Sequence, residues 1–182
     1  MTKSVTGSFY LTETVTMPAA QLNNSRVGTT LDLSAYVNVP TGQAIAIESV
    51  DFIIQRGADF GSEIGAYLAG NGGISFQVTD QNPGTAFVRA DNHSLVASGS
   101  LNIDSANAIG TYAADLYPDN FGPANLSEAF LVVNDSLFLT AGNDGANVGT
   151  ADLSVTTRIR ARVVKLSTKD WMAIAIQSTA DQ

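Results

Sequence analysis

The sequence predicts an all-β protein: an antiparallel β-sandwich, built as a single jelly roll of about eight strands. Three observations carry that expectation. Residues 8–17 and 151–166 alternate apolar and polar side chains with period two, as half-buried strands do. Turn residues punctuate short apolar runs at intervals along the rest of the chain. Only one segment, 167–177, carries a helix signal. Many short strands with almost no helix give a sandwich or barrel. Eight strands favour the jelly roll, with the immunoglobulin-like sandwich as its rival. A chain of 182 residues, 1–182, suits one domain.

In chain order, residues 8–17 place Phe9, Leu11, Val15 and Met17 on one face together with Glu13. Pro18 ends that strand, and 21–27 reads as a polar loop. Residues 29–39 predict a second strand, with Leu31, Leu33, Ala35, Val37 and Val39 inward, before the turn at Pro40-Thr41-Gly42. Residues 43–56 predict one long strand or two joined at a bend. Ile45 and Ile47 share one parity and Val50, Phe52 and Ile54 the other, so a β-bulge or a crossing between sheets is expected near residues 48–50.

The glycine-rich stretch 57–73 reads as a long loop, with one helical turn around Ile64, Tyr67 and Leu68. Short strands are expected at 74–79, 85–89, 94–97 and 109–117, with 99–108 ambiguous and 118–127 a loop. Residues 129–140 read as a hairpin about Asn134-Asp135. Residues 141–150 read as a flexible loop. The long strand 151–166 follows, with Leu153, Val155, Thr157, Ile159, Ala161 and Val163 on one face and Arg158, Arg160 and Arg162 on the other. For 167–177 the signals are an N-cap at Ser167, with Asp170 three positions on, and Trp171, Ile174 and Ala175 facing the sheet. A final strand is the alternative there.

Composition narrows the function classes. Apolar residues make up 45% of the chain, enough for a core. Charged residues are only 14%, against a usual ~25%. The net charge of −8 is uneven: residues 1–150 balance at −10 and residues 151–182 at +2. That acidity argues against general nucleic-acid binding. There is no cysteine, which excludes disulfides and thiolate metal sites. No apolar run reaches the length of a signal peptide or a membrane span, so synthesis in the cytoplasm and a soluble product are expected.

Catalytic patterns are absent. His93, the one histidine, sits in a polar loop with no Gly-x-Ser-x-Gly elbow anywhere to supply a nucleophile. Asp59-Phe60-Gly61 matches a kinase triplet in letters only, and Gly70-Asn71-Gly72-Gly73 lacks the lysine of a phosphate loop. The loops 143–147 and 115–120 offer oxygen ligands of the kind calcium takes, without EF-hand spacing. The Asn-x-Ser triplets at Asn23, Asn92, Asn125 and Asn134 fit the composition.

The sharpest feature is the basic strand. Arg158, Arg160 and Arg162 stand ~6.5 to 7 Å apart along one face. They repel unless they meet acids of the same molecule, acids of a neighbouring copy, or phosphate, and a guanidinium binds either anion through two parallel hydrogen bonds. Lys165, near the end of the same strand, is grouped with them as a residue expected to face a neighbouring subunit or phosphate, and Trp171 reads as a core anchor for the terminal segment.

With its size, strand count, Gly/Asn/Thr-rich loops and closing RIRARVVKLSTKDW, the chain resembles the small single-jelly-roll major capsid proteins of tailless icosahedral viruses. The resemblance implies many identical or paired copies in a shell, a place in the virion, and no enzymatic activity, cofactor or small-molecule substrate. Its implied partners are copies of itself, with a second coat protein, an internal membrane or a packaged genome as further candidates. The competing readings are a carbohydrate- or ligand-binding sandwich module and a subunit of an extracellular filament.

Overall fold

The computed structural model describes residues 3–60, 63–114 and 130–180. Its strands are β1 (Lys3–Ser4), β2 (Phe9–Met17), β3 (Ser25–Asp32), β4 (Gln43–Arg56), β5 (Gly72–Thr79), β6 (Leu95–Asp104), β7 (Ile109–Ala114), β8 (Phe130–Val132), β9 (Ser136–Asp144) and β10 (Leu153–Lys165), followed by the helix α1 (Thr168–Thr179). They form two antiparallel sheets. In sheet A, β10 lies between β4 and the pair β1 and β2, and β8 extends the β4 side. Sheet B runs β3-β9-β5-β6-β7.

The pairing is nested: β2 with β10, β3 with β9, β4 with β8, and β5 with β6. One long antiparallel ribbon wrapped over itself gives that order, and it is the jelly roll. β7 adds a strand to sheet B beside β6, and β1 continues the line of β2 along β10 through Lys3↔Lys165.

Inward side chains of both sheets make one core. Ile45, Ile47, Leu153, Val155 and Ile159 come from sheet A and Ile74, Phe76, Leu137 and Ala141 from sheet B, all essentially without solvent contact. The Phe52 and Phe76 rings join the sheets at 4.6 Å. Glu13 shares the inward parity of β2, but β2 and β3 are outer strands of their sheets, so it reaches Thr29, whose hydroxyl donates to Glu13 Oε1 at 3.2 Å.

Several expectations are corrected. The second strand spans Ser25–Asp32, so part of the supposed loop 21–27 is strand. It stops because Asp32 Oδ1 accepts from Ser34 N at 2.8 Å, and Tyr36 N and Val37 N both turn back to Leu33 O. Leu33 is buried, whereas Val39 is 58% exposed. Residues 85–89 form no strand: the Gln77 amide bonds both Val88 N and Val88 O at 2.9 Å, doing with a side chain what a neighbouring strand would do. Most of 99–108 belongs to β6.

Residues 129–140 are not a hairpin, because β8 joins sheet A and β9 joins sheet B. The Asn134-Asp135 link carries the chain across. Asn134 Nδ2 donates to Asp80 O at 2.6 Å, and Asp135 O accepts from Leu33 N at 2.7 Å, so its polar groups bond loops instead of a ladder. Residues 141–144 extend β9, and Asn143 is wholly buried. Its amide donates to Ala146 O and Leu22 O and accepts from Gln21 Nε2, pinning the loops at that end.

The helix forms as its signals indicate. Ser167 Oγ accepts from Asp170 N at 3.2 Å, capping the first turn. Trp171, Ile174 and Ala175 pack on Ala44, Ala46, Val133, Val164 and Leu166, a second apolar cluster on the outer side of sheet A. At its far end Ser178 is buried and donates to Asp80 Oδ2 at 3.0 Å. Burial pushes the Asp80 carboxyl up to about 6, partly offset by that hydrogen bond.

Candidate functional site

The outer face of sheet A holds the basic strand, and β4 shapes it. The pairing of β10 with β4 runs Arg160↔Ser49 and then Ala161↔Ile47, leaving Glu48 without a partner. That is the expected β-bulge. One extra residue switches the parity of β4, so Ile45 and Ile47 before it and Val50, Phe52 and Ile54 after it all face the core. The same switch leaves Glu48 on the outer side, beneath the arginines.

Glu48 is only 5% exposed. Arg160 Nε lies 3.0 Å from Glu48 Oε2, and Arg162 Nε lies 3.5 Å from Oε1, an ion pair without hydrogen-bond geometry. The Ser8 hydroxyl bonds both carboxylate oxygens, at 2.8 and 3.0 Å. A single buried acid thus organises two guanidiniums. Arg162 is largely covered, and Arg160 keeps half of its side chain in solvent.

Arg158 is held differently. It faces Thr12 on β2 and Asp51 on β4, and its guanidinium sits 5.0 Å from the centre of the Tyr10 ring. Farther along the same face, Thr14–Thr156 and Thr16–Ser154 make a ladder of hydroxyl hydrogen bonds at 2.8 and 3.1 Å. Lys165, at the helix end of β10, is exposed and opposite Lys3, but it has the inward parity of Ala161 and Val163 and so lies off the arginine row. Trp171 is partly buried in the cluster under α1, with its indole N–H shielded from solvent and without a hydrogen-bond partner among the described residues.

Sequence reasoning located the arginines and the bulge but missed Glu48 and Ser8 as their partners. The signal was present: an acid at the point where an apolar strand changes parity. The arrangement can hold an external carboxylate or phosphate on Arg158 and Arg160, which Tyr10 and Glu48 fix in place.

Elsewhere, His93 lies in the link between β5 and β6. Asn143, a candidate calcium ligand by sequence, has its amide engaged with backbone groups inside the fold. The loop 115–120 and the Asn125 triplet lie outside the described residues. Among the described residues no three acidic or histidine side chains gather as a metal site, and no helix is long and apolar enough to cross a membrane.

No protein-family model and no curated protein sequence matches the chain. Among solved structures it is similar to VP1 of Trichodysplasia spinulosa-associated polyomavirus, at 10% identity and a TM-score of 0.44, over 90% of this chain and 99% of that one. It is also similar to Merkel cell polyomavirus VP1 in complex with GD1a oligosaccharide, at 11% identity and 0.40, over 90% and 98%. A structure of desmodium yellow mottle tymovirus aligns at 8% identity and 0.30, over 89% and 91%. The jelly-roll assignment rests on the nested strand order, and these overlaps add nothing about activity.

Proposed function

We propose that the protein is a self-assembling structural subunit, a viral coat protein whose copies associate through the outer face of sheet A. One observation carries this reading: Arg158 and Arg160 stand preset on a rigid strand, by Tyr10 and Glu48, in a chain whose net charge is −8. A fixed basic row on an acidic molecule is complementary to the remainder of another copy. The subunit needs no catalytic residue, and its location would be the virion. A packaged genome or membrane phosphate is an alternative occupant of the same row. A shallow polar groove of about 270 Å³ beside Thr29, Asn82, Thr85 and Thr140 favours a second reading, a sugar-binding module.

The test is the particle state of purified protein, by light scattering and electron microscopy, for the wild type and for Arg158→Glu. Arg158 is the milder choice: Arg160→Glu would set a second acid beside the buried Glu48, whereas Arg158→Glu sets one opposite Asp51, which is exposed to water. Wild type is expected to form regular shells or capsomers that loosen with salt, and Arg158→Glu to remain small while keeping its circular dichroism spectrum. A wild type that stays monomeric at every salt concentration overturns the coat reading, and saturable binding in a glycan screen would then establish the second. Filaments in place of shells would make it a filament subunit.

A further inference from the structure

The strip of sheet A that α1 leaves open carries a cation and an anion that do not pair. Arg158 on β10 and Asp51 on β4 stand directly opposite each other and both are exposed, yet neither has an ion pair among the described residues. The guanidinium leans instead to the other neighbouring strand, β2, over the ring of Tyr10. Because β2 and β4 flank β10 at about 4.8 Å each, the two charges lie on opposite sides of β10, about 10 Å apart. Arg160 is already neutralised by Glu48. Hydroxyls of Thr12, Thr14 and Thr156 fill much of the remaining strip, together with Ile53. Ile53 has the outward parity of Asp51 and belongs to neither apolar cluster, so it is an isoleucine on the solvent side of the sheet.

Such a face is complementary to itself. When a second copy is laid face to face about a two-fold axis parallel to β10, the rotation exchanges the β2 and β4 flanks. Each Arg158 guanidinium then comes opposite the Asp51 carboxylate of the other copy, and both contacts form at once. The same rotation lays Thr14 of each copy over Ile53 of the other, methyl against methyl. Helix α1 stands on this side of the sheet too, over Ala44 and Ala46 of β4 and ending beside Asp80 and the link that follows β8. Stacked sheets lie about 10 Å apart, the thickness of a helix, so α1 fits between them. The rotation sets the two helices on opposite flanks.

We infer that two copies associate face to face through sheet A, about a two-fold axis parallel to β10, with Arg158 of each bound to Asp51 of the other. The contact rests on the self-assembly reading and names the acid that the basic strand meets. It is isologous, so it closes at two copies, and a larger particle needs further contacts elsewhere on the subunit. The crossed charges fix its register, because sliding or reversing one copy sets arginine against arginine.

Charge reversal in the full chain tests it, each variant checked by circular dichroism. Arg158→Glu and Asp51→Arg each set like charges together twice across the axis. Each alone is expected to weaken association by roughly tenfold or more in sedimentation velocity. Their equimolar mixture again sets an acid against a base at both places and should recover the wild-type association, as should the double variant by itself. A second measurement leaves the charges alone. The chain has no cysteine, and Thr156 lies on β10 beneath the axis. Thr156→Cys should therefore be joined to its own counterpart by a bis-maleimide spanning about 10 Å, the distance between stacked sheets. Adding Asp51→Arg should abolish that covalent dimer. Wild-type association in Asp51→Arg, a mixture that fails to recover, or a Thr156→Cys chain that gives no covalent dimer each overturns this contact while leaving the coat reading in place. A monomeric wild type removes both.

Discussion

Replacing Glu48 by Gln tests whether the buried carboxylate holds the basic face together. The shape is kept, and Ser8 can still donate to the amide oxygen. What is lost is the charge that faces two guanidiniums. Arg160 is half-exposed and can turn into water, so its share is that of a surface pair, within about 1 kcal/mol. Arg162 cannot rehydrate, because only 14% of its side chain is exposed. Stranding one member of a buried pair costs about 3–5 kcal/mol. Some Arg162 surface remains open, which places the expected loss near the lower figure, about 3 kcal/mol. For a chain of this length that is a fall in Tm of roughly 6–12 °C. Urea denaturation followed by circular dichroism measures it, with Arg160→Gln alongside, expected to lose no more than about 1 kcal/mol. Adding Arg162→Met to Glu48→Gln removes the stranded guanidinium and should recover most of the loss. A loss below about 1 kcal/mol in Glu48→Gln, or a double variant weaker than the single, would refute the reasoning.

The Asp80 carboxyl titrates near 6 in the fold and near its ordinary value when unfolded, so between about pH 4 and 6 the folded state holds the extra proton. Stability is therefore expected to fall as pH rises through that window, and Asp80→Asn should exceed wild type by about 1–3 kcal/mol at pH 7 and match it at pH 4 in paired urea titrations. Ser167→Ala removes the cap of α1 and should lower stability by about 1 kcal/mol, read as a drop in urea midpoint. A Cβ on Gly149 would collide with the backbone oxygen of Ala66, whereas one on Gly28 would meet nothing nearer than 3.5 Å. Gly149→Ala should thus cost at least about 2 kcal/mol and Gly28→Ala should be neutral or slightly stabilising, a contrast that thermal melts resolve.

Sheet A was more legible in the sequence than sheet B, and the reason is physical. β2 and β10 have one face in the core and one in solvent, so period-two alternation marks them along most of their length. The parity change in β4 marked its bulge for the same reason. The apolar runs of β8 and β9 looked like a hairpin because local sequence reports turn chemistry, not which sheet receives each strand. Gln77 could not be foreseen as the partner of Val88, since an amide imitates a strand only where tertiary structure brings the two together. Glu48 was hidden in a similar way. Its role depends on Arg160 and Arg162, more than 100 residues distant, and the sequence alone gives no register to join them.

The nested order also determines when the basic face can exist. β10 is the central strand of sheet A, and β1, β2 and β4 have it as a shared neighbour. Until residues 153–165 are in place, β2 and β4 have no strand between them, and Glu48 has neither guanidinium. Closing the sheet requires contacts between the first and the last described strands, the kind of distant pairing that forms slowly. An unfinished subunit, with residues 1–150 balancing at −10, would thus present acidic surface but no basic face to receive it. Association through the basic face would therefore select for completed subunits, because that face is present only when the jelly roll has closed.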